Sequence, residues 1–170
     1  MKIIDAHHHT WDRTIFPYTW MDDPHPVGDI SDLKKNYLIE DLLEDAKDLE
    51  LIKSVHIQCG GGKDSPVEET KWLQFLADRE NAKGFPHGIV AYSDFLDPNA
   101  EQEIEMHCEY KNTRGIRYLL NFDPEIKLIV LRIRKFLQIQ LSNLIMHCLR
   151  NTIFHLICIF GGLKMFMQTT

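Results

Sequence analysis

Acidic residues are missing from one end of this sequence. Residues 126–170 hold no aspartate and no glutamate, although the whole chain of 170 residues carries 25. The same stretch holds six basic residues, Lys127, Arg132, Arg134, Lys135, Arg150 and Lys164, and no proline. At ordinary abundance an acid-free run of this length is improbable by composition alone. The missing prolines also remove the turn punctuation seen earlier in the chain. The sequence therefore changes character near residue 125, which sets an expected division into 1–124 and an atypical tail, 125–170.

Other absences exclude whole classes of function. The four cysteines, Cys59, Cys108, Cys148 and Cys158, form no C-x-x-C pair, so reduced thiols in a cytoplasmic protein are expected. No base marks any of them as a nucleophile. No apolar run reaches the roughly 18 residues of a membrane span; charges interrupt even "IKLIVLRIRKFLQIQLSNLIMHCL". Asp5 and His7 to His9 break up the start before a signal-peptide core forms. A net charge of −6 provides no basic face, which argues against nucleic-acid and anionic-membrane partners. "GGGKD" lacks the spacing and the Ser/Thr of a phosphate-binding loop and reads as a flexible connection.

What is present, with 44% hydrophobic and 26% charged residues, suits a soluble globular domain. Residues 1–123 alternate between two patterns. "KIIDAH", "IKSVHIQ", "GIVAYSD" and "GIRYLLN" are short, apolar and β-branched, as buried strands are. Between them, "YLIEDLLEDAKDLEL" places Leu38, Leu42, Leu43, Ala46 and Leu49 at helical spacing. "SPVEETKWLQFLADRE" offers Ser65 as N-cap, Pro66 at the first helical position and Glu68 to complete a capping box, with Trp72 and Phe75 on its core face. Asp97 and Pro98 open a third helix, running to about Lys111 by the same chemistry. Strands separated by helices at a spacing of about 30 residues imply parallel pairing with right-handed crossovers. In such folds the ligand site lies at the C-terminal ends of the strands, where His7, His9, Gln58 and Asp94 fall.

The opening "IIDAHHHTWD" carries the sharpest chemistry. Side chains alternate along a strand, so Asp5, His7 and His9 share one face and His8 points the other way. Two imidazoles at i and i+2 suit one divalent ion, and neutral imidazole is a common zinc ligand. H-x-H by itself also arises as a chance polar cluster or a tag remnant. Its position at the end of the first strand of a βα array favours metal binding. His56 and Gln58 share a face on the second strand, where one of them lines a site or both pack as polar core. Arg117 shares a face with Asn121 on the fourth strand. Its guanidinium suits either a substrate carboxylate or a structural ion pair. Arg114 reads as a surface residue.

Taken together, "IDAHHHTWD", "YLIEDLLEDAKDLELIKSVHIQ", "EETKWLQFLADR", "GIVAYSDFLDP" and "RGIRYLLN" resemble the amidohydrolase-related family of metal-dependent TIM-barrel hydrolases, in its lactonase-like branch. The resemblance runs from about Lys2 to Pro124. It implies an α/β fold of the (β/α)8 type represented by about its first four βα units, since a whole barrel takes about 250 residues. It further implies His7 and His9 as first-strand metal ligands, zinc as the divalent metal, and Arg117 as a contact for a substrate carboxylate; Gln58, from its place on the second strand, is the other expected substrate contact. The reaction expected is opening of a polar or anionic lactone, or a similar cyclic ester or amide, by metal-activated water, with a small molecule as partner. The family's later metal ligand and general base have no counterpart before residue 124, so inactivity of this chain alone is expected. Two other readings stand beside this one: a metal-dependent deoxyribonuclease of a related barrel family, and a non-catalytic half-barrel.

The tail suggests a shifted reading frame. When each codon of "MHCLRNTIFHLICIFGGLKMFMQTT" is started at its third base, Met followed by His gives only Ala, and His followed by Cys gives only Leu. The whole stretch can then be read as "ALLKKYHISFDLHIWWPQDVYANN", an amphipathic helix followed by an alternating strand. The shift is expected between about Asp123 and Met146.

Overall fold

The computed structural model describes residues 2–22, 28–95, 97–119, 155–160 and 163–167. The chain divides into two compact units, 1–89 and 90–170.

In the first unit, β1 (Lys2–His8) pairs in parallel with β2 (Glu50–Ile57). The helix between them, α1, spans Ile39–Asp45. The Asp41 carboxylate starts it by accepting the Leu38 N–H at 2.7 Å, which satisfies one of the donors a helix start leaves over. The helical spacing of the leucines predicts a longer helix, through Leu51. Instead the chain turns after Asp45, Leu49 is 54% exposed, and pairing with β1 begins at Glu50. Ladder bonds to Lys2 and Ile3 supply residues 50 and 51 with backbone partners that a continued helix would forgo.

The second helix, α2, spans Val67–Asp78. The helix starts one residue later than expected, with Pro66 as the N-cap and Val67 as its first residue, while Ser65 Oγ accepts the Val67 N–H at 3.2 Å from outside the helix. The Glu68 carboxylate, however, reaches the Lys63 N–H at 2.7 Å, so the expected reciprocal box is redirected into the loop. Trp72, Leu73, Leu76 and Ala77 are buried, whereas Phe75 is 64% exposed. Phe75 lies on the solvent stripe with Lys71 and Asp78, which corrects its placement on the core face.

The core of this unit joins Phe16, Tyr18, Met21, Ile39, Cys59, Trp72, Leu73, Leu76, Phe85 and Ile89. Three of these come from the long segment after β1, which the core thereby fixes in place. Phe16 meets Trp72 edge to face at 5.8 Å, and Trp20 Nε1 donates to the Cys59 carbonyl at 2.9 Å. Each fully buried large apolar side chain contributes about 1.5–3 kcal/mol. That is enough to order a connection with little regular structure of its own.

The second unit carries the strand order β3-β4-β5-β6, where β3 is Gly88–Tyr92 and is begun at the end of the first unit, and β4 is Thr113–Leu119. The helix α3 (Ala100–Cys108) lies between β3 and β4 in sequence. Tyr118 stacks on Tyr92 with ring centroids 6.1 Å apart, and Phe95 lies 5.6 Å from Tyr118. The buried His107 ring nitrogen Nε2 is 3.0 Å from the Tyr92 carbonyl oxygen, tying α3 to β3. Two further strands fall within the compositionally distinct tail: β5 (His155–Phe160), parallel to β4, and β6 (Leu163–Met167), antiparallel to β5. The residues between about Asp123 and Met146, where the shifted frame is expected to begin, lie outside the described residues. No helix among the described residues is long and apolar enough to cross a membrane.

Candidate metal centre

Register explains the geometry at the end of β1. Asp5 pairs with Ser54 and His8 with His56, so β1 advances three residues while β2 advances two. The extra residue makes a bulge that ends the regular ladder and re-aims the side chains around His7. The Asp5 carboxylate holds this turn by accepting the His7 N–H at 3.0 Å.

The bulge brings His7 and His9 together. Their Nε2 atoms stand 3.2 Å apart, with the rings edge to face. His7 is exposed and His9 half-buried. The far nitrogen of His9, Nδ1, lies 2.8 Å from the Ile57 carbonyl oxygen. A carbonyl only accepts, so Nδ1 carries the proton and Nε2 presents its lone pair. Orienting a ligand histidine through its second nitrogen is a common device at metal sites.

The donor pair fits zinc. With Zn–N bonds of about 2.0–2.1 Å, two corners of a tetrahedron lie about 3.3 Å apart, close to the observed separation. Among the described residues, no group of three or more His, Cys, Asp or Glu side chains converges as a metal site.

His8 points away from this pair and is buried, 6% exposed. Its ring meets His56 edge to face at 5.5 Å, and neither of its ring nitrogens finds a hydrogen-bond partner. Burial, reinforced by the nearby His56 and His9, pulls its pKa down to about 3. It is therefore a neutral packing residue near pH 7.

His56 is fully buried. Its Nδ1 receives the Thr10 N–H at 3.3 Å and lies 3.1 Å from Thr10 Oγ1. Its Nε2 faces Glu69 Oε1 at 3.7 Å. The Glu69 oxygen also accepts the Cys59 N–H at 2.9 Å. Burial and the carboxylate of Glu69 raise the pKa of the neighbouring Tyr18 hydroxyl far above its usual value, so Tyr18 stays protonated. Sequence patterning does not reveal Glu69, because acids in a first helical turn ordinarily face solvent. It does not mark Thr10 either.

Of the expected substrate contacts, Gln58 is buried, one residue beyond the end of β2 in the first unit. Arg117 is half-buried on β4 in the second unit. Asp94 follows β3 there and is half-buried.

No family model matches the sequence. The chain is 46% identical over 128 residues to the uncharacterized protein y4mH of Sinorhizobium fredii, a match covering 74% of this chain and 42% of that protein. The solved structures it resembles include two crystal structures of an amidohydrolase from Burkholderia multivorans. One has bound zinc and a TM-score of 0.55, the other bound HEPES and a TM-score of 0.51. Each is 21% identical, and the likeness covers 75% of this chain and 40% of that one. The likeness is one of fold, to part of these amidohydrolase structures. The chain spans about two fifths of the length of the proteins it matches.

Proposed function

We propose that this chain supplies the first half of a metal-dependent hydrolase barrel of the amidohydrolase type, with His7 and His9 as two ligands of a divalent cation, most simply zinc. The observation that carries the reading is the 3.2 Å approach of the two Nε2 atoms, with His9 Nδ1 held on the Ile57 carbonyl. The zinc in the related amidohydrolase structure supports the choice of metal. When bound, such a cation supplies Lewis acidity that polarises a carbonyl and acidifies water. The chain's own residues present two neutral imidazoles, keep the His9 lone pair aimed outward, and exclude water from His56 beneath.

The substrate class proposed is a polar or anionic lactone, or a similar cyclic ester or amide. Arg117 is the proposed contact for a carboxylate, through its guanidinium, and Gln58 is separately proposed as a contact for a neutral oxygen. A small molecule is the proposed partner, with no nucleic acid or membrane, in a cytoplasmic setting. The shift of reading frame between about Asp123 and Met146 belongs to the same proposal and is tested by sequencing the gene.

Activity is tested in two arms. The purified chain is expected to bind zinc through the histidine pair and to turn over no lactone at enzymatic rates; rapid turnover would overturn its role as a half-site. In a version extended with the remaining barrel strands, Arg117→Met should raise KM for anionic lactones far more than for neutral ones. Equal losses on both would make Arg117 a structural residue.

A further inference from the structure

We infer that Glu69, His56 and Thr10 form a buried positioning relay that fixes His9 as a ligand. The inference rests on the metal-site reading above and extends it to residues that touch neither metal nor substrate. Two consecutive residues of β2 clasp two consecutive residues beyond β1. The Ile57 carbonyl receives His9 Nδ1–H, and His56 Nδ1 accepts the Thr10 N–H at 3.3 Å and lies 3.1 Å from Thr10 Oγ1.

The direction of each bond follows from chemistry. A backbone N–H only donates, so His56 Nδ1 must accept from Thr10. In the neutral ring the proton then sits on Nε2, which makes no hydrogen bond among the described residues and stands 3.7 Å from Glu69 Oε1, close enough for the carboxylate's charge to favour that proton. Glu69 is in turn anchored by the Cys59 N–H, just past the end of β2. Thr10, His56 and Glu69 are 0%, 0% and 3% exposed, so water does not replace these contacts at low cost. The Thr10 N–H thus sets the tautomer of His56, the charge of the carboxylate on α2 favours it from 3.7 Å, and His56 in turn holds Thr10, from where the His9 ring reaches. Without the relay, the segment beyond the bulge loses the bonds that keep His9 Nε2 beside His7 Nε2.

The test uses the purified chain, zinc chloride as probe, and Thr10→Val, Thr10→Ser and Glu69→Gln. Zinc affinity is read by calorimetry and imidazole tautomers by nitrogen-15 NMR of the metal-free protein. The expected result in the parent chain is Nε2–H for His56 and Nδ1–H for His9. Thr10→Val, which keeps the fold's shape but loses the hydroxyl, should weaken zinc binding by about tenfold or more and mix the His9 tautomers. Thr10→Ser should restore both, and Glu69→Gln should mix the tautomers of His56. An Nδ1–H tautomer on His56 in the parent chain overturns the relay, whether or not any variant folds. So does a folded Thr10→Val with parental zinc affinity and an unmixed His9, even if its melting temperature falls. A parent chain with the expected tautomers that binds no zinc would instead defeat the metal-site reading and leave the relay standing.

Discussion

His9 Nδ1 sits 2.8 Å from the carbonyl oxygen of Ile57, the last residue of the neighbouring parallel strand. This single bond gives a histidine after a strand end a defined lone pair, as the proposed ligand role requires, because the tautomer is set by a group that cannot donate. His7→Ala and His9→Ala should therefore each weaken zinc binding by about tenfold or more, the equivalent of about 1.4 kcal/mol. His8→Ala should leave the affinity close to that of the parent, since the His8 ring lies against His56 on the buried side. Calorimetric titration of the four folded proteins decides the point. Equal losses at all three positions would mean that the strand faces are assigned wrongly.

The corrected face of α2 gives a stability contrast. Leu73 is 1% exposed within the core and Phe75 is 64% exposed two residues later. Leu73→Ala should cost about 2–5 kcal/mol through lost burial and the cavity left behind. Phe75→Ser should stay within about 0.5 kcal/mol. Urea unfolding of both variants measures this directly. A large loss at Phe75 would show that the ring is covered in solution.

The βα order is legible in the sequence because strands of a parallel sheet read as short β-branched runs, and the helices between them keep their own period. The end of α1 is not legible. Leu49 continues the helical spacing, and only pairing of Glu50 with Lys2 takes the backbone out of the helix. The histidine pair is legible as an i, i+2 pattern, but its 3.2 Å approach depends on a bulge set by the partner strand. Glu69 was invisible for a different reason: two adjacent acids, Glu68 and Glu69, begin α2, and nothing local tells which turns inward. Burial against His56 and Cys59 decides it, and that information lies 10 or more residues away.

Two glycines with left-handed backbones should respond differently to a methyl group. Gly28 has φ +102°, and among the described residues nothing lies within 4 Å of where a Cβ would go. Gly62 has φ +111°, and a Cβ there collides with the Ser65 carbonyl oxygen at the start of α2. Gly28→Ala should cost about 1 kcal/mol from backbone strain alone. Gly62→Ala adds a steric overlap with main chain that cannot swing aside, and should cost about 3 kcal/mol or more. Melting temperatures that fall equally would show that the loop after β2 relaxes around the added methyl.

Acid should destabilise the metal-free chain through His8. The ordinary pKa of this ring is 6.5 and burial lowers it to about 3. Between those values the unfolded chain binds a proton that the folded chain refuses, so folding stability rises with pH across that window. His8's contribution is complete above about pH 6.5 and is lost progressively as the pH falls toward 3, at up to about 1.4 kcal/mol per pH unit. Glu103, whose pKa burial raises, acts in the opposite sense, but equally in the parent and in His8→Leu, so it cancels from the comparison. Urea midpoints taken with a chelator present at pH 7 and pH 5 should show the parent losing about 1–2 kcal/mol more than His8→Leu over that interval. Parallel losses in the two proteins would mean that His8 is protonated in the folded state and that its side of β1 admits water.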